Sequence, residues 1–325
     1  MVSTKAAGLR DRIVNRTFGI SLRDSLGGAQ ASLARLEESS GRLESRLSSI
    51  EESLARAEAQ QFVLSEKLDF VHRRLSVEKE RLRIERDDID GLRDKLAEVR
   101  KTSEYSEAFL DREPLISVRI PAYKKTDELI DVAIASVLRQ SYQRFEIVIV
   151  NDGPNDVTRN AIAKLGDERI RYFEFDEQSR YPADAHSRWM VAGSPGMNRA
   201  AELARGTWIA PLDDDDAFSD DHLEKLLDVA LSHGAELAYG ALTQKNLLSG
   251  TERIVWSSPP AISEFSFMGA IYLRSLGFLR YDEQSWMVDE PGDWNLIRRM
   301  TAAGVVMATT KDIVGVINML PYTAK

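Results

Sequence analysis

Residues 207–216 read TWIAPLDDDD: an apolar run through Leu212, then Asp213, Asp214, Asp215 and Asp216 in succession. A strand with this pattern is buried along most of its length and ends in four adjacent carboxylates. Such carboxylates repel one another unless a cation sits among them. Mg²⁺ and Mn²⁺ are hard ions that prefer oxygen ligands and often share them with substrate phosphates. The stretch points to a metal site for a nucleotide diphosphate at the carboxyl end of a strand. A solvated acidic turn opening a helix at Ser219 would use the same letters, so the flanking chain has to decide.

Upstream, Leu115 to Tyr123 (LISVRIPAY) reads as a strand, and apolar residues at helical spacing predict a helix over 127–140. Phe145 to Val150 (FEIVIV) is a second buried strand, ending at Asn151-Asp152-Gly153. A helix over 155–165 and a strand over 169–175 follow. Strand and helix alternating at this spacing predict a doubly wound α/β sheet. Ligands of such sheets bind beyond the carboxyl ends of the strands. Tyr123, Asp152 and the aspartate cluster all fall at such ends.

Residues 176–195 read as a long polar loop with Arg180, Tyr181, His186, Arg188 and Trp189, and 197–205 as a helix ended by Gly206. Beyond the aspartates, Ser219 is expected to open a helix through Leu231, its start suited to Asp220 and Asp221. Short strands are expected at 237–242 and 253–256. Pro291-Gly292 breaks the chain before Asp293 and a helix to Ala303, and 305–308 and 313–317 look like closing strands. Residues 243–290 carry no readable pattern.

Charge is uneven along the 325 residues. Residues 1–113 hold 21 basic and 22 acidic side chains, and residues 114–325 hold 22 and 30, so almost all of the net −9 lies in the second part. An acidic globular part is a poor partner for nucleic acid, which requires a basic face. The chain has no cysteine, which excludes disulfides, thiolate metal sites and thiol catalysis. No apolar stretch approaches the ~20 residues that span a bilayer, and the start lacks the apolar core of a signal peptide. A cytoplasmic protein is expected, with peripheral contact at the inner face of a membrane left open. Residues 1–28 could form a basic amphipathic helix able to lie on anionic lipid, although their apolar residues do not align in one stripe.

From Leu33 to about Val99 the period is 3.5. One series runs Ser40, Leu47, Leu54, Gln61, Leu68, Leu75, Leu82, Ile89, Leu96; the other runs Leu36, Leu43, Ile50, Ala57, Leu64, Val71, Glu78, Glu85, Leu92, Val99. Fifteen of these 19 positions are apolar in one register, the pattern of a coiled coil that faces a partner helix. Such a rod would extend on the order of 95 Å at 1.5 Å per residue. Homo-oligomerisation through it is expected, with the number of strands open. A head beginning after residue 105 is expected to be an active monomer.

The globular part resembles the GT-A, family 2-like glycosyltransferases. The resemblance is carried by SVRIPAY (117–123), IASVLRQSYQRFEIVIVNDGPND (134–156), GMNRAAELARGTWIAPLDDDD (196–216) and GDWNLIRRM (292–300), in order and spacing. It covers nearly all of 115–320 and leaves out the coil. The chain then divides into an N-terminal segment 1–29, a coiled coil 30–103, a linker 104–114 and a GT-A domain 115–325.

The resemblance implies a nucleotide-sugar donor (UDP-, GDP- or dTDP-linked), a glycan or lipid-linked acceptor, and inverting transfer with Mg²⁺ or Mn²⁺ in surface-polysaccharide synthesis. Pro121, Ala122 and Tyr123 would pack the nucleotide base and Asp152 would accept a hydrogen bond from it. Asp213 and Asp215 match the DxD motif, Asp215 as the direct metal ligand and Asp213 nearer the ribose or a metal-bound water, with Asp214 beside them. Asp293 would be the catalytic base, although aspartate there also suits a helix cap. Two departures stand out: Gly292 replaces the usual glutamate before Asp293, and Met197 replaces an arginine that Arg188 or Arg180 would have to supply. A sugar nucleotidyltransferase, or a coiled-coil scaffold with a degenerate nucleotide-binding head, are the competing readings. The first is weakened because PAYKKTDE lacks the glycine of a phosphate loop.

Overall fold

A computed structural model describes residues 3–319, with side chains from Ser25 onward. The basic face expected within residues 1–24, and the end of the domain over 320–325, lie outside the described residues. The chain divides into two units at Ser76/Val77.

Helix α1 (Ser3–Asp87) runs through the first unit into the second. Within the first unit its apolar seam is uncovered: Leu36, Leu43, Leu47, Ile50, Leu54, Leu64, Leu68 and Val71 are each 50–68% exposed. Among the described residues nothing covers this stripe, which fits the heptad pattern.

In the second unit the helix stops sooner than the heptads suggest. Asp88 adopts a left-handed conformation (φ 42°), and its side chain caps α2 (Ile89–Val99) by accepting from the Gly91 amide. Leu92 and Leu96 are buried in the core of the head, so these heptad positions do not face a partner helix. Arg100 forms a two-point ion pair with the fully buried Glu236 at 2.7 and 2.8 Å. The expected linker is also built in: α3 (Ser103–Ala108) buries Ala108, and the Tyr105 hydroxyl donates to Glu236 at 2.8 Å. A head cut after residue 105 would lose part of its own core.

β1 (Ile116–Ala122) leads into a helical run of α4 (Thr126–Glu128), a π-helical stretch (Leu129–Ile134) and α5 (Ala135–Leu138). β2 (Phe145–Asn151), α6 (Asp156–Leu165) and β3 (Ile170–Glu174) follow as expected. Residues 176–195 are not wholly loop, because Asp184 caps a short α7 (Ala185–Val191) by accepting from the Ser187 amide. Then come α8 (Ser194–Leu203), β4 (Trp208–Pro211) and a short β5 (Ala217–Phe218). Ser219 does not open the next helix: its amide donates to Val314 O, which keeps the chain extended, and α9 spans His222–His233. β6 (Leu237–Asn246), β7 (Glu252–Val255), β8 (Ala270–Leu273), α10 (Gly292–Ala303) and β9 (Met307–Met319) complete the head. β9 is one continuous strand where two were expected.

Among the described residues nine strands form one mixed sheet, ordered β3-β2-β1-β4-β8-β6-β9-β5 with β7 on β6. β1 to β4 are mutually parallel where they pair, while β8 is antiparallel to β4. Every residue of β2 is buried, as in parallel strands covered by helices on both faces. Register does the positioning. Ala122 lies opposite Asn151, so Tyr123 and Asp152 leave the sheet side by side. β4 ends three residues lower, with Pro211 opposite Arg119, so the aspartates turn over the end of β1. Gly206 makes this approach possible, since a Cβ there would lie 2.5 Å from Leu115 O.

Candidate active site

Four aspartates follow β4 in a tight turn, closed by the Asp216 amide donating to Asp213 O. Each meets a different environment. Asp214 Oδ2 accepts from the Tyr123 amide at 3.0 Å, which ties the turn to the end of β1. Asp216 accepts from the Asn318 amide at 2.7 Å, which ties it to β9. Asp215 receives the Lys125 ammonium at 2.6 Å, and the same ammonium lies 3.6 Å from Asp214. Asp213 has no hydrogen-bond partner for its carboxylate among the described residues.

Burial pushes the Asp213 carboxyl up to about 7, helped by the nearby Asp293 carboxylate and opposed by the Arg119 guanidinium. Asp214 is pushed up to about 6, chiefly by burial, with Lys125 and the Tyr123 amide opposing. Burial also raises Asp216, together with Asp213 and Asp215. Burial works against the Lys125 charge, yet Asp214 and Asp215 hold its pKa above the ordinary lysine value. Ionising all four carboxyls is therefore costly in the protein alone, because burial and their mutual repulsion outweigh the opposing Lys125 and Arg119 charges.

Asp293 comes from the first turn of α10 but does not cap it. The cap position is Pro291, without a side-chain bond. The Asp293 carboxylate is turned instead into a cradle from two other segments. Oδ2 accepts from Ser266 Oγ at 2.9 Å and from the Phe267 amide at 3.0 Å, and Oδ1 accepts from the Tyr281 hydroxyl at 2.8 Å. Tyr281 is itself held from behind: Arg119 Nη2 donates to its hydroxyl at 3.0 Å, and Asn198 bonds both its amide and its carbonyl. Burial and the Asp293 charge keep the Tyr281 phenol protonated far above its ordinary range, so it remains a donor. Arg119 is only 1% exposed, and its Nε and Nη1 have no hydrogen-bond partner among the described residues.

Asp152 is buried at the end of β2. It accepts from the Ser179 amide at 2.8 Å and the Tyr181 hydroxyl at 2.9 Å, so both carboxylate oxygens are engaged by the loop after β3. Gly153 permits the turn that follows, with φ at +96°. Pro121 and Ala122 sit at the end of β1. Tyr123 beyond them is 37% exposed, with the Lys124 ammonium 4.8 Å above its ring. Arg188 lies on α7 and donates to the carbonyls of Pro182 and Ala183. Its guanidinium is spent on its own loop rather than on the aspartates.

The donor set can be weighed against a divalent ion. Among the described residues no three side chains of His, Asp or Glu converge as a ready cage. Mg²⁺-type ions, however, are commonly held by one or two carboxylates, with phosphate and water completing the shell. Asp213 and Asp215 fit that pattern, and a cation beside them would offset the burial and repulsion that disfavour their ionised forms. Asp214 and Asp216 are committed to backbone amides and serve to shape the turn.

Sequence reasoning missed Arg119, Tyr281, Ser266, Lys125 and Asn198. Arg119 carries a readable signal, a charged residue in the middle of an otherwise apolar strand (SVRIPAY). Ser266 and Tyr281 carry none, because they sit in the aperiodic stretch 243–290.

A family model described as Glycosyl transferase family 2 matches residues 117–288. A Bacillus subtilis (strain 168) glycosyltransferase named for teichuronic acid biosynthesis, TuaG, is 32% identical over 128 residues, covering 39% of this chain and 46% of that protein. The Escherichia coli UDP-Glc:alpha-D-GlcNAc-diphosphoundecaprenol beta-1,3-glucosyltransferase WfgD is 29% identical over 126 residues, 39% of this chain and 45% of its own length. The chain thus spans less than half the length of these relatives. A crystal structure of S. aureus TarS superposes with a TM-score of 0.48 at 16% identity, covering 63% of this chain and 36% of that one. With the family model spanning more than half of its 325 residues, the chain belongs to glycosyl transferase family 2.

Proposed function

We propose that the protein transfers a sugar from a nucleotide-diphosphate donor to an acceptor hydroxyl with inversion, in the synthesis of a bacterial surface polysaccharide. The observation that carries this reading is the convergence of two carboxylates distant in sequence. Asp293 lies close enough to Asp213 to raise its pKa, and Asp293 is aimed by three hydrogen bonds that leave Oδ1 with a single protein donor. An aspartate that only stabilised its helix would need none of these.

In the proposed reaction the base of a UDP-, GDP- or dTDP-sugar rests on Tyr123 beside Pro121 and Ala122, and the Tyr181 loop yields Asp152 to it. Asp213 and Asp215 face the ribose and diphosphate. A divalent ion held by Asp215 and Asp213, Mg²⁺ or Mn²⁺, would offset charge on the departing diphosphate. Asp293 Oδ1 takes the proton from the acceptor hydroxyl as that oxygen attacks the anomeric carbon from the face opposite the leaving group. The anomeric C–O bond breaks, and its electron pair leaves with the nucleoside diphosphate. The phenol of Tyr281, backed by Arg119, holds the carboxylate in line throughout.

A glycan or lipid-linked acceptor is supported by the names of the relatives, one of which acts on a diphosphoundecaprenol-linked sugar. Among the described residues no helix is long and apolar enough to cross a membrane. The test is release of UDP, GDP or dTDP from a panel of nucleotide-sugars with Mn²⁺ or Mg²⁺, comparing wild type with Asp293→Asn. Release of pyrophosphate from NTP and sugar phosphate would point to a nucleotidyltransferase instead. No turnover of any donor would leave the scaffold reading.

A further inference from the structure

Between Tyr281 and Asp293 the chain has little regular structure: a 3₁₀ turn at Ser285–Val288 and a left-handed Asp289 with φ 61°. Short-range turn bonds close it, among them the Ser285 amide to Asp282 O and the Glu290 amide to Ser285 O, without any longer helix or strand. Its outer side is nevertheless gripped by the last turns of α1. Arg86 spans Asp282 with two bonds at 2.7 and 2.8 Å from one nitrogen and a third from Nε, and also donates to Gln284 Oε1 at 3.0 Å. Lys79 reaches Asp289 at 2.8 Å. Asp87 accepts from Arg298 at 2.6 Å, while Arg298 donates to Glu290 at 2.8 Å.

These contacts differ in weight. Lys79 and Asp289 are both about half exposed, and such a pair contributes little by itself. The Asp87–Arg298–Glu290 triad is another matter, because Asp87 and Glu290 are each 8% exposed. Desolvating three charges is costly unless the geometry is fixed and the remaining lone pairs are used. Asn295 uses one of them by donating to Glu290 at 2.7 Å. Helix-to-head anchoring could have used any surface of the head. All of these contacts end on residues 282–290 or on Arg298 of α10, the helix that carries Asp293.

We propose that Arg86, Asp87 and Lys79 are positioning residues of the transferase site: the last turns of the rod helix clamp residues 282–290 and thereby hold Tyr281 and Asp293 in register. The catalytic consequence rests on the reading of Asp293 as the base, while the clamp itself does not. Whatever the rod assembles with is then connected through one continuous helix to the segment that aims the carboxylate.

Hydrogen–deuterium exchange on the full chain tests the clamp without any donor. In Arg86→Ala and in Asp87→Asn, amides over 281–293 should exchange about tenfold faster, while those of β1, β2 and β4 keep their protection. The reversed pair Arg86→Asp with Asp282→Arg should restore slow exchange, which a simple loss of stability would not do. With a donor in hand, Arg86→Ala should lower kcat several-fold with little change in donor KM. Unchanged exchange over 281–293 in both single variants, or faster exchange spread evenly over the head, overturns the proposal. If Asp293→Asn turns over normally, the base assignment falls while the exchange result stands on its own.

Discussion

The Asp293 carboxylate and its cradle set the sharpest expectations for single residues. A general base is typically worth ~10²–10⁴ in rate, so Asp293→Asn should lower turnover by about that factor while UDP, GDP or dTDP still binds by calorimetry. Tyr281→Phe removes a hydrogen bond to a charged group, worth ~1.5–3 kcal/mol. It should slow turnover roughly ten- to a hundredfold with nucleotide affinity unchanged. Asp215→Ala should abolish the Mn²⁺-dependent part of nucleotide binding, seen by calorimetry with and without the metal. Arg119, with two unpartnered nitrogens and the Tyr281 ring 5.2 Å away, supports both Asp213 and Tyr281 from beneath. Arg119 could have been singled out from the sequence as a charge inside a buried strand, but what it touches could not.

At the scale of elements, the junction of β5, α9 and β9 contains a titrating core residue. His222 is fully buried, stacked on Phe218 at 3.6 Å, with Nδ1 2.7 Å from Val314 O. Burial lowers its pKa to about 4, against the small opposing effects of Val314 O and the Asp221 charge. Below about pH 6.5 the unfolded chain takes up a proton that the folded chain refuses until about pH 4. His222 therefore removes stability as pH falls through that window, on the order of 3 kcal/mol across it. Asp213 and Asp214, raised to about 7 and about 6, contribute with the opposite sign over much of the same range. The residue-specific readout is the difference in melting between wild type and His222→Gln, which should shrink from pH 7 to pH 4.5. β1, β2 and β4 were legible because buried parallel strands read as near-continuous apolar runs, whereas β5 was not expected and β9 was read as two strands. The start of α9 was misjudged because Ser219 is taken by β9, a partner almost a hundred residues away.

For the whole molecule, the boundary between rod and head decides which truncations survive. A chain beginning at Val77 keeps Arg86, Asp87, α2 and α3, and should melt like the heads of the full-length protein. A chain beginning at residue 105 loses Leu92 and Leu96, whose removal from a core costs ~2–5 kcal/mol each. It also leaves the buried Glu236 without the Arg100 guanidinium, a further penalty. It should melt well below the Val77 form in scanning calorimetry. The exposed seam of α1 supports self-association of the full chain, measurable by light scattering. Leu47→Glu with Leu54→Glu should dissociate it without lowering the melting of the head.

What the linear chain determined was whatever repeats or terminates locally. Heptads wrote the rod, apolar runs wrote β1, β2 and β4, and the stops after them wrote the positions of Tyr123, Asp152 and the four aspartates. These features follow from periodicity and burial, which any short window contains. Tertiary structure alone decided which carboxylates meet, that Asp293 faces Tyr281 and Ser266 rather than its own helix end, and that the last heptads belong to the head. Those outcomes depend on contacts between segments tens to hundreds of residues apart. Such contacts are selected by the packing of the finished core, and no local pattern encodes them.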